Sequence, residues 1–461
     1  MNIILTADIG STFTKLTAVD IEAPGVIGAA RAFTTIETNV MEGFKVAMEE
    51  LVAQCGRIQF TRKVASSSAA GGLKMIAVGL VPDLTVQAAR MAAANAGAKI
   101  QKAYSFELNR QEVEEIVNLT PDMILLSGGV DGGNKDVIIH NARALVSSGL
   151  NCSIVVAGNK SANDELRDIF KIYGGEALFC DNVMPAIGEL NVIPAQKAIR
   201  DLFIKNIISA KGLDELAALM SVEIIPTPLA VFEAAELLSQ GTRKIPGLGE
   251  LMVFDVGGAT TDVYSMSEGL PTRANVFMHG LKQPFAKRTV EGDLGLRYSL
   301  SSLAAAADVE TMAENLGLNG EEINQWLNTC QITPGLVPQC GTVNKHIDDA
   351  MAGAAVRIGA ARHCGRIEAV FTIVGQAFSQ TGKDLGQVET VIGTGGPIIN
   401  AEKPAEVLGN AIYSPADTNV LKPINPRLKV DARYIMASMG LLSRLEPEAA
   451  LRIMLEEMKP A

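Results

Sequence analysis

The chain has 461 residues, 48% of them hydrophobic and 20% charged, so two or three well-packed domains are expected and a disordered chain is excluded. A formal net charge of −11 argues against nucleic acid or an anionic membrane surface as the main partner. No stretch approaches the roughly 20 apolar residues that span a bilayer, Asp8 ends the first apolar run too early for a signal peptide, and the six cysteines form no Cys-x-x-Cys pair. A reduced, cytoplasmic protein without a cysteine-held metal or iron–sulfur centre is expected.

The first elements read strand, strand, strand, helix over 2–8, 13–20, 26–33 and 40–55, followed by a strand at 63–66. Phe44, Ala47, Met48, Leu51, Val52 and Cys55 recur at helical spacing and predict a core-facing stripe. From 72 to 215 the pattern changes to alternating strands (75–81, 100–106, 122–127, 152–157, 177–180) and helices (83–96, 111–118, 135–148, 163–173), which predicts a parallel sheet covered by helices. The glycine-rich loop 127–134 inside it lacks the Gly-Lys-Ser/Thr ending of a P-loop, and a structural turn or docking loop is expected there ahead of a ligand site.

Residues 220–226 read as a strand and 228–240 as a hinge helix, before a second strand at 251–254. The charged loop 291–297 is expected to cap the next helix. A helix over 347–363 carries the small residues Ala352, Gly353, Ala354 and Ala355, which suit a close crossing at a hinge. A strand at 388–392 leads into Gly393-Thr394-Gly395-Gly396-Pro397, Asp431 is placed to cap a helix running through 445, and Pro447 opens the last one. The expected division is 1–71 and 216–250 as one lobe, 72–215 as an inserted α/β domain, and 251–461 as a second lobe.

Chemistry concentrates in two matched segments, Asp8-Ile9-Gly10-Ser11-Thr12 and Asp255-Val256-Gly257-Gly258-Ala259-Thr260, each between two strands. Such turns gather backbone N–H groups into an anion nest. A carboxylate closing the first strand can face a phosphate-bound Mg through the metal's waters. Asp8 and Asp255 are therefore the candidate catalytic and metal-facing residues. Gly10, Ser11, Thr12, Gly257, Gly258, Ala259 and Thr260 are candidate phosphate ligands, with Lys15 a further one. Thr261 and Asp262 are weaker candidates, Asp262 because it can serve its own turn. Gly393, Gly395 and Gly396 are candidates for close backbone approach to adenosine.

In this order the three turns resemble the ATPase superfamily of actin, the sugar kinases and the heat-shock chaperones. That likeness implies an α/β, two-lobed actin-like (ribonuclease H-like) fold that binds ATP with Mg. Where the chaperones carry Glu-Pro-Thr before the second turn, this chain has Ile225-Pro226-Thr227, so either slow hydrolysis or a base elsewhere in the chain is expected. The blocks 8–15, 66–75, 125–134 and 289–295 further resemble the MutL family, the accessory proteins of adenosylcobalamin-dependent glutamate mutase. The resemblance implies an ATP-dependent, chaperone-like factor that exchanges damaged cobalamin on a glutamate mutase or a related aminomutase. The mutase subunits and ATP/ADP would be its partners, and a homo-oligomer is compatible with it. A small-molecule kinase, a filament-forming actin relative and a hydantoin-cleaving ATPase are the competing readings.

Overall fold

The structure, a computed structural model, describes residues 2–10, 12–35, 38–68, 74–82, 87–95, 99–173, 177–208, 212–373 and 375–461. The chain divides into two compact units: Met1–Ala230 with Gly280–Lys282, and Val231–His279 with Gln283–Ala461.

The first unit opens with β1 (Ile3–Ile9), β2 (Phe13–Asp20), β3 (Gly25–Phe33), α1 (Val40–Cys55) and β4 (Arg62–Ser67). A parallel α/β stretch follows: β5 (Lys74–Gly79), α2 (Gln87–Asn95), β6 (Lys99–Ser105), α3 (Arg110–Leu119), β7 (Met123–Leu126), α4 (Asp136–Ser147), β8 (Ser153–Val156), α5 (Asn163–Tyr173) and β9 (Ala177–Phe179). The chain returns through α6 (Ile193–Ile208) and α7 (Leu213–Leu219) to β10 (Ile225–Pro226) and α8 (Thr227–Gln240), within which it passes into the second unit.

The first sheet runs β10-β4-β1-β2-β3. β1 is antiparallel to β2 and β2 to β3, whereas β4 runs parallel to both β1 and β10. Numbered within the sheet this is the ribonuclease H-like order 3-2-1-4-5. β1 is buried along its whole length, which explains its unbroken apolar run, and α1 covers it with Val40, Phe44, Ala47 and Leu51.

The second sheet of this unit, β6-β5-β7-β8-β9, is wholly parallel. Its strand residues alternate between two cores, as the two-residue pleat dictates. Ile76, Val78, Ile124, Leu126, Ile154 and Val156 meet α3, α4 and α5 on one face. Met75, Ala77, Met123, Leu125 and Val155 meet α2 and α6 on the other, in a cluster that continues into β1, β2 and α1. Burial on both faces is what a parallel sheet requires.

The second unit contains β11 (Leu251–Val256), β12 (Thr261–Met266), β13 (Val276–His279), β14 (Ala286–Glu291), α9 (Leu300–Ala306), α10 (Val309–Leu316), α11 (Gly320–Ile332) and α12 (Val343–His363). It continues with β15 (Arg366–Thr372), β16 (Gly375–Thr381), β17 (Thr390–Thr394), α13 (Gly396–Ile399), α14 (Pro404–Gly409), β18 (Arg427–Val430), α15 (Met436–Ser443), α16 (Pro447–Glu457) and β19 (Lys459–Pro460). Its main sheet, β14-β12-β11-β17-β18-β19, repeats the 3-2-1-4-5 order with one added edge strand, and the senses match the first unit strand for strand. The fold is therefore α/β and actin-like, with the same sheet built twice and a parallel sheet inserted in the first copy.

Several readings from periodicity are adjusted. The strand expected at 220–226 is only Ile225–Pro226, since 220–224 are an irregular connection from α7 (Leu213–Leu219). The small residues of α12 pack inside the second unit: a Cβ on Gly353 would lie 2.8 Å from Asn410, and one on Gly359 3.1 Å from Val263. The three-stranded sheet β13-β16-β15 was not anticipated.

Candidate functional site

In the first unit the β1–β2 register sets Asp8 opposite Lys15 and, on the other side, beside Ser66 of β4. Asp8 is 3% exposed. Its Oδ1 accepts from Ser66 Oγ at 3.1 Å and Thr227 Oγ1 at 2.6 Å, and Lys15 Nζ stands 4.0 Å from Oδ2. The turn closes with Gly10 N–H donating to Phe13 O at 3.0 Å, and Thr12 O accepts from Thr34 N at 2.9 Å. A Cβ on Gly10 would sit 2.7 Å from Phe13 O, so only glycine allows this closure. Ser11, the remaining candidate of this turn, lies outside the described residues.

The second unit repeats the construction. Asp255 pairs with Asp262 across the hairpin and with Thr394 of β17, and Gly257 N–H donates to Thr260 O at 2.9 Å. The spacing from aspartate to donor to acceptor is the same as in the first hairpin. Here the carbonyls are tied from behind: Gly257 O accepts from Leu296 N (3.1 Å), Gly258 O from Arg297 N and Tyr298 N (both 2.8 Å), and Ala259 O from Ser299 Oγ (2.7 Å). Arg297 is itself clamped by Asp348 through contacts of 3.0 and 2.9 Å. With the carbonyls occupied, the N–H groups of Gly258 and Ala259 donate to no acceptor among the described residues. Adjacent backbone amides without an acceptor can take an anion.

The loop before α9 was expected to cap that helix. Instead Ser299, at its start, makes no side-chain cap bond and spends its hydroxyl on Ala259 O and Gly292 O. Thr261 donates to Leu294 O at 2.7 Å. Asp262 pairs with the buried Arg288 of β14 at 2.8 Å, so it braces the sheet and does not serve its own turn.

Gly395 brings the third motif onto the second hairpin. Its φ is +88, and a Cβ there would lie 2.2 Å from Val256 O and 2.8 Å from Asp255 Oδ1. Gly396 opens α13. Gly393 has a different use: a Cβ would strike Ile398 at 2.6 Å and Leu408 at 2.9 Å, so its bareness lets α13 and α14 lie on β17. Asp431 takes Ile435 N–H at 2.8 Å, Met436 N–H at 3.0 Å and Thr394 Oγ1 at 3.0 Å, tying the glycine turn to the start of α15. The helix it supports spans Met436–Ser443, shorter than expected.

Sequence reasoning assigned no role to Ser66 or Thr227, which hold Asp8. Thr227 could have been found, since it keeps the Pro-Thr half of the chaperone triplet. Ser66 is visible only once β4 is placed beside β1. Among the described residues no cluster of three or more His, Cys, Asp or Glu could hold a metal directly. A carboxylate at the end of the first strand of each hairpin, held on Asp8 by the Ser66 and Thr227 hydroxyls, fits a hydrated Mg held through water.

Comparison with known proteins is consistent over the whole chain. The family described as MutL protein matches residues 4–458. Protein MutL of Clostridium tetanomorphum is 46% identical over 456 residues, covering 98% of both chains. Among solved structures, a glycerol dehydratase reactivase aligns with 96% of this chain and 99% of its own at 10% identity and a TM-score of 0.35. The xylulose kinase of Bifidobacterium adolescentis aligns with 100% and 94% at 11% identity and 0.31. At such TM-scores neither bears on fold or function, and the fold rests on the repeated strand order. With the family model matching residues 4–458 and 46% identity to Protein MutL of Clostridium tetanomorphum over 98% of both chains, the chain belongs to the MutL family.

Proposed function

We propose that this protein is an ATP-binding, slowly hydrolysing, chaperone-like factor that restores an adenosylcobalamin-dependent glutamate mutase, or a related aminomutase, by exchanging damaged cobalamin. The observation that carries the reading is the repeated 3-2-1-4-5 sheet, with an aspartate ending the first strand and a glycine-closed turn after it in each unit. Gly10, Ser11, Thr12 and Lys15 on one hairpin, and Gly257, Gly258, Ala259 and Thr260 on the other, would receive phosphate oxygens. Gly395 and Gly396 would lie against adenosine.

Asp8 and Asp255 would hold Mg through its waters, and the metal would supply charge neutralisation on the phosphates. Thr227 and Ser66 keep the Asp8 carboxylate in one orientation. Ile225 is buried and apolar where a chaperone has its water-orienting glutamate, which supports slow turnover. A factor that acts by switching tolerates a slow step, because its output is the difference in partner affinity between nucleotide states.

The test mixes the protein and Mg–ATP with mutase blocked by cyanocobalamin. Recovery of mutase turnover that requires ATP is expected; no recovery with active mutase subunits present overturns the reading.

A further inference from the structure

The turn 257–260 rests on the charged loop 291–299, and that loop is anchored at two places on α12. At one end Arg362 of α12 holds Asp293 through contacts of 2.7 and 2.9 Å and Glu291 at 2.9 Å. At the other end Arg297 holds Asp348 of α12 at 3.0 and 2.9 Å. Asp348 and Arg362 are separated by about 21 Å along the helix axis, at 1.5 Å per residue. Between the anchors Leu294 lies against α12, where a Cβ on Gly359 would come 4.0 Å from it. A Cβ on Gly295 would lie 2.2 Å from the carbonyl carbon of Ala259, so a bare residue is needed for the loop to press on the hairpin.

An arginine beside a phosphate turn invites reading as a phosphate ligand, yet the Arg297 guanidinium is spent elsewhere. Nη1 donates to Leu296 O at 2.6 Å as well as to Asp348, and Nη2 donates to Leu336 O at 3.2 Å. The side chains of Arg297 and Asp348 are 13% and 12% exposed. Asp348 Oδ1 also accepts from Nε1 of the buried Trp326 at 3.3 Å. What reaches the hairpin from Arg297 is its backbone N–H, which donates to Gly258 O. A two-point arginine–carboxylate pair fixes orientation as well as distance, and here it fixes that N–H.

In a trans peptide the C=O and the N–H of one unit point in opposite directions within a plane. Leu296 N–H on Gly257 O therefore turns the Gly258 N–H away from the loop. The N–H groups of Arg297 and Tyr298 on Gly258 O do the same for Ala259, and Ser299 Oγ on Ala259 O does so for Thr260. Three successive amides are aimed by bonds made behind them.

Resting on the nucleotide-binding reading, we propose that Arg297 is a positioning residue of the second phosphate hairpin. Its pairing with Asp348 keeps the 291–299 loop stretched along α12, and the stretched loop aims the amides of Gly258, Ala259 and Thr260 at phosphate oxygens. Phosphate affinity is then set by the fold in advance, because the amides need no ordering when the anion arrives.

The test removes the clamp without leaving a lone buried charge, by combining Arg297→Met with Asp348→Leu. Mg–ADP binding is measured by calorimetry, adenosine binding by ligand-detected NMR, and folding by thermal melts. The double variant should bind Mg–ADP about tenfold or more weakly while its adenosine affinity stays within about threefold of the parent, since adenosine has no phosphate to meet the amides. Ser299→Ala removes one brace at a half-buried position and no charge, and should weaken Mg–ADP by about three- to tenfold; it decides alone if the double variant fails to fold. Mg–ADP affinity within about twofold of the parent in the folded variants overturns the positioning role, as does adenosine affinity that falls in step with that for Mg–ADP. Either result leaves the nucleotide-binding reading standing, whereas a parent protein that binds no Mg–ADP removes that reading and the positioning role together.

Discussion

Thr227 reaches Asp8 across 219 positions of sequence, and its 2.6 Å contact is shorter than those of Ser66 (3.1 Å) and Lys15 (4.0 Å). Replacing it by valine keeps the shape and removes the donor, freeing the carboxylate to rotate. Thr227→Val is expected to lower phosphate release from Mg–ATP by about 10- to 100-fold, the usual cost of a misplaced positioning group, with folding largely retained; steady-state hydrolysis together with thermal melts checks both. Gly395 is a harsher position. A Cβ there meets Val256 O at 2.2 Å in a backbone conformation that L-residues avoid. Gly395→Ala should therefore destabilise the second unit by roughly 2–3 kcal/mol or more, visible as a lowered denaturant midpoint. Both residues show the limits of reading a sequence. Asp8, Gly10, Asp255 and Gly257 announce themselves because each motif is local. Ser66, Thr227 and Asp431 act across the sheet, and only strand pairing brings them to the motif. Gly393 belongs to a recognisable motif, yet the contact it makes is with helices that follow it.

Elements of the second unit carry an unusual burden of buried charge. Arg288 on β14 pairs with Asp262 on β12 beneath Tyr264, and the pair is almost wholly removed from water. Arg288→Met should cost about 3–5 kcal/mol, because Asp262 is then left buried without a partner; chemical denaturation of the variant checks this.

Near the joint of α12, β12, β14 and β16, His363 bonds Ser265 Oγ at 2.8 Å and Thr289 Oγ1 at 2.9 Å. Lys383 donates to Phe285 O at 2.7 Å and Lys287 to His363 O at 2.6 Å. Burial pushes Lys383 down to about 7, helped by the Lys287 charge and opposed by Glu250 and Glu268. Burial likewise lowers Lys287 to about 8, opposed by Cys364 and Glu291. His363 is pushed well below its usual range by burial, Lys287 and Lys383. The unfolded chain holds protons on both lysines up to about pH 10.4, so between about pH 7 and 10 these two groups bind more protons in the unfolded chain than in the folded one. Their contribution to stability rises with pH across that window and is lost on acidification towards 7. Burial raises the thiols of Cys152, Cys180, Cys330 and Cys364, which opposes the rise once unfolded thiols begin to ionise near about pH 8.5. Melting temperature should therefore increase from pH 7 to 8, and Lys383→Met should flatten that slope; a slope unchanged by the substitution would contradict the assignment.

For the molecule as a whole, each unit carries one of the proposed phosphate hairpins, and a ligand that binds only the folded state stabilises it by mass action. At 100 times its dissociation constant, Mg–ADP should add about 2.7 kcal/mol. Calorimetry should show the upward shift, and Asp8→Asn, Asp255→Asn or EDTA should each reduce it. For the proposed reactivation, moving a partner from 1:99 to 99:1 requires the two nucleotide states to differ by about 5.5 kcal/mol in their affinity for it. Measuring mutase affinity with Mg–ATP against Mg–ADP gives that difference directly.

The sequence alone determined the strand–turn–strand hairpins, the alternating stretch of the parallel sheet and the family, because each is written in local periodicity or in short contiguous motifs. It left unread the three-stranded sheet β13-β16-β15 and the helices α9 to α11, whose short or mixed patterns carry no clear period. Only the tertiary structure decided which hydroxyls hold Asp8 and that the 291–299 loop braces the second hairpin. Those facts depend on strand order and register, which join residues far apart in the chain and leave no mark in any short stretch of it.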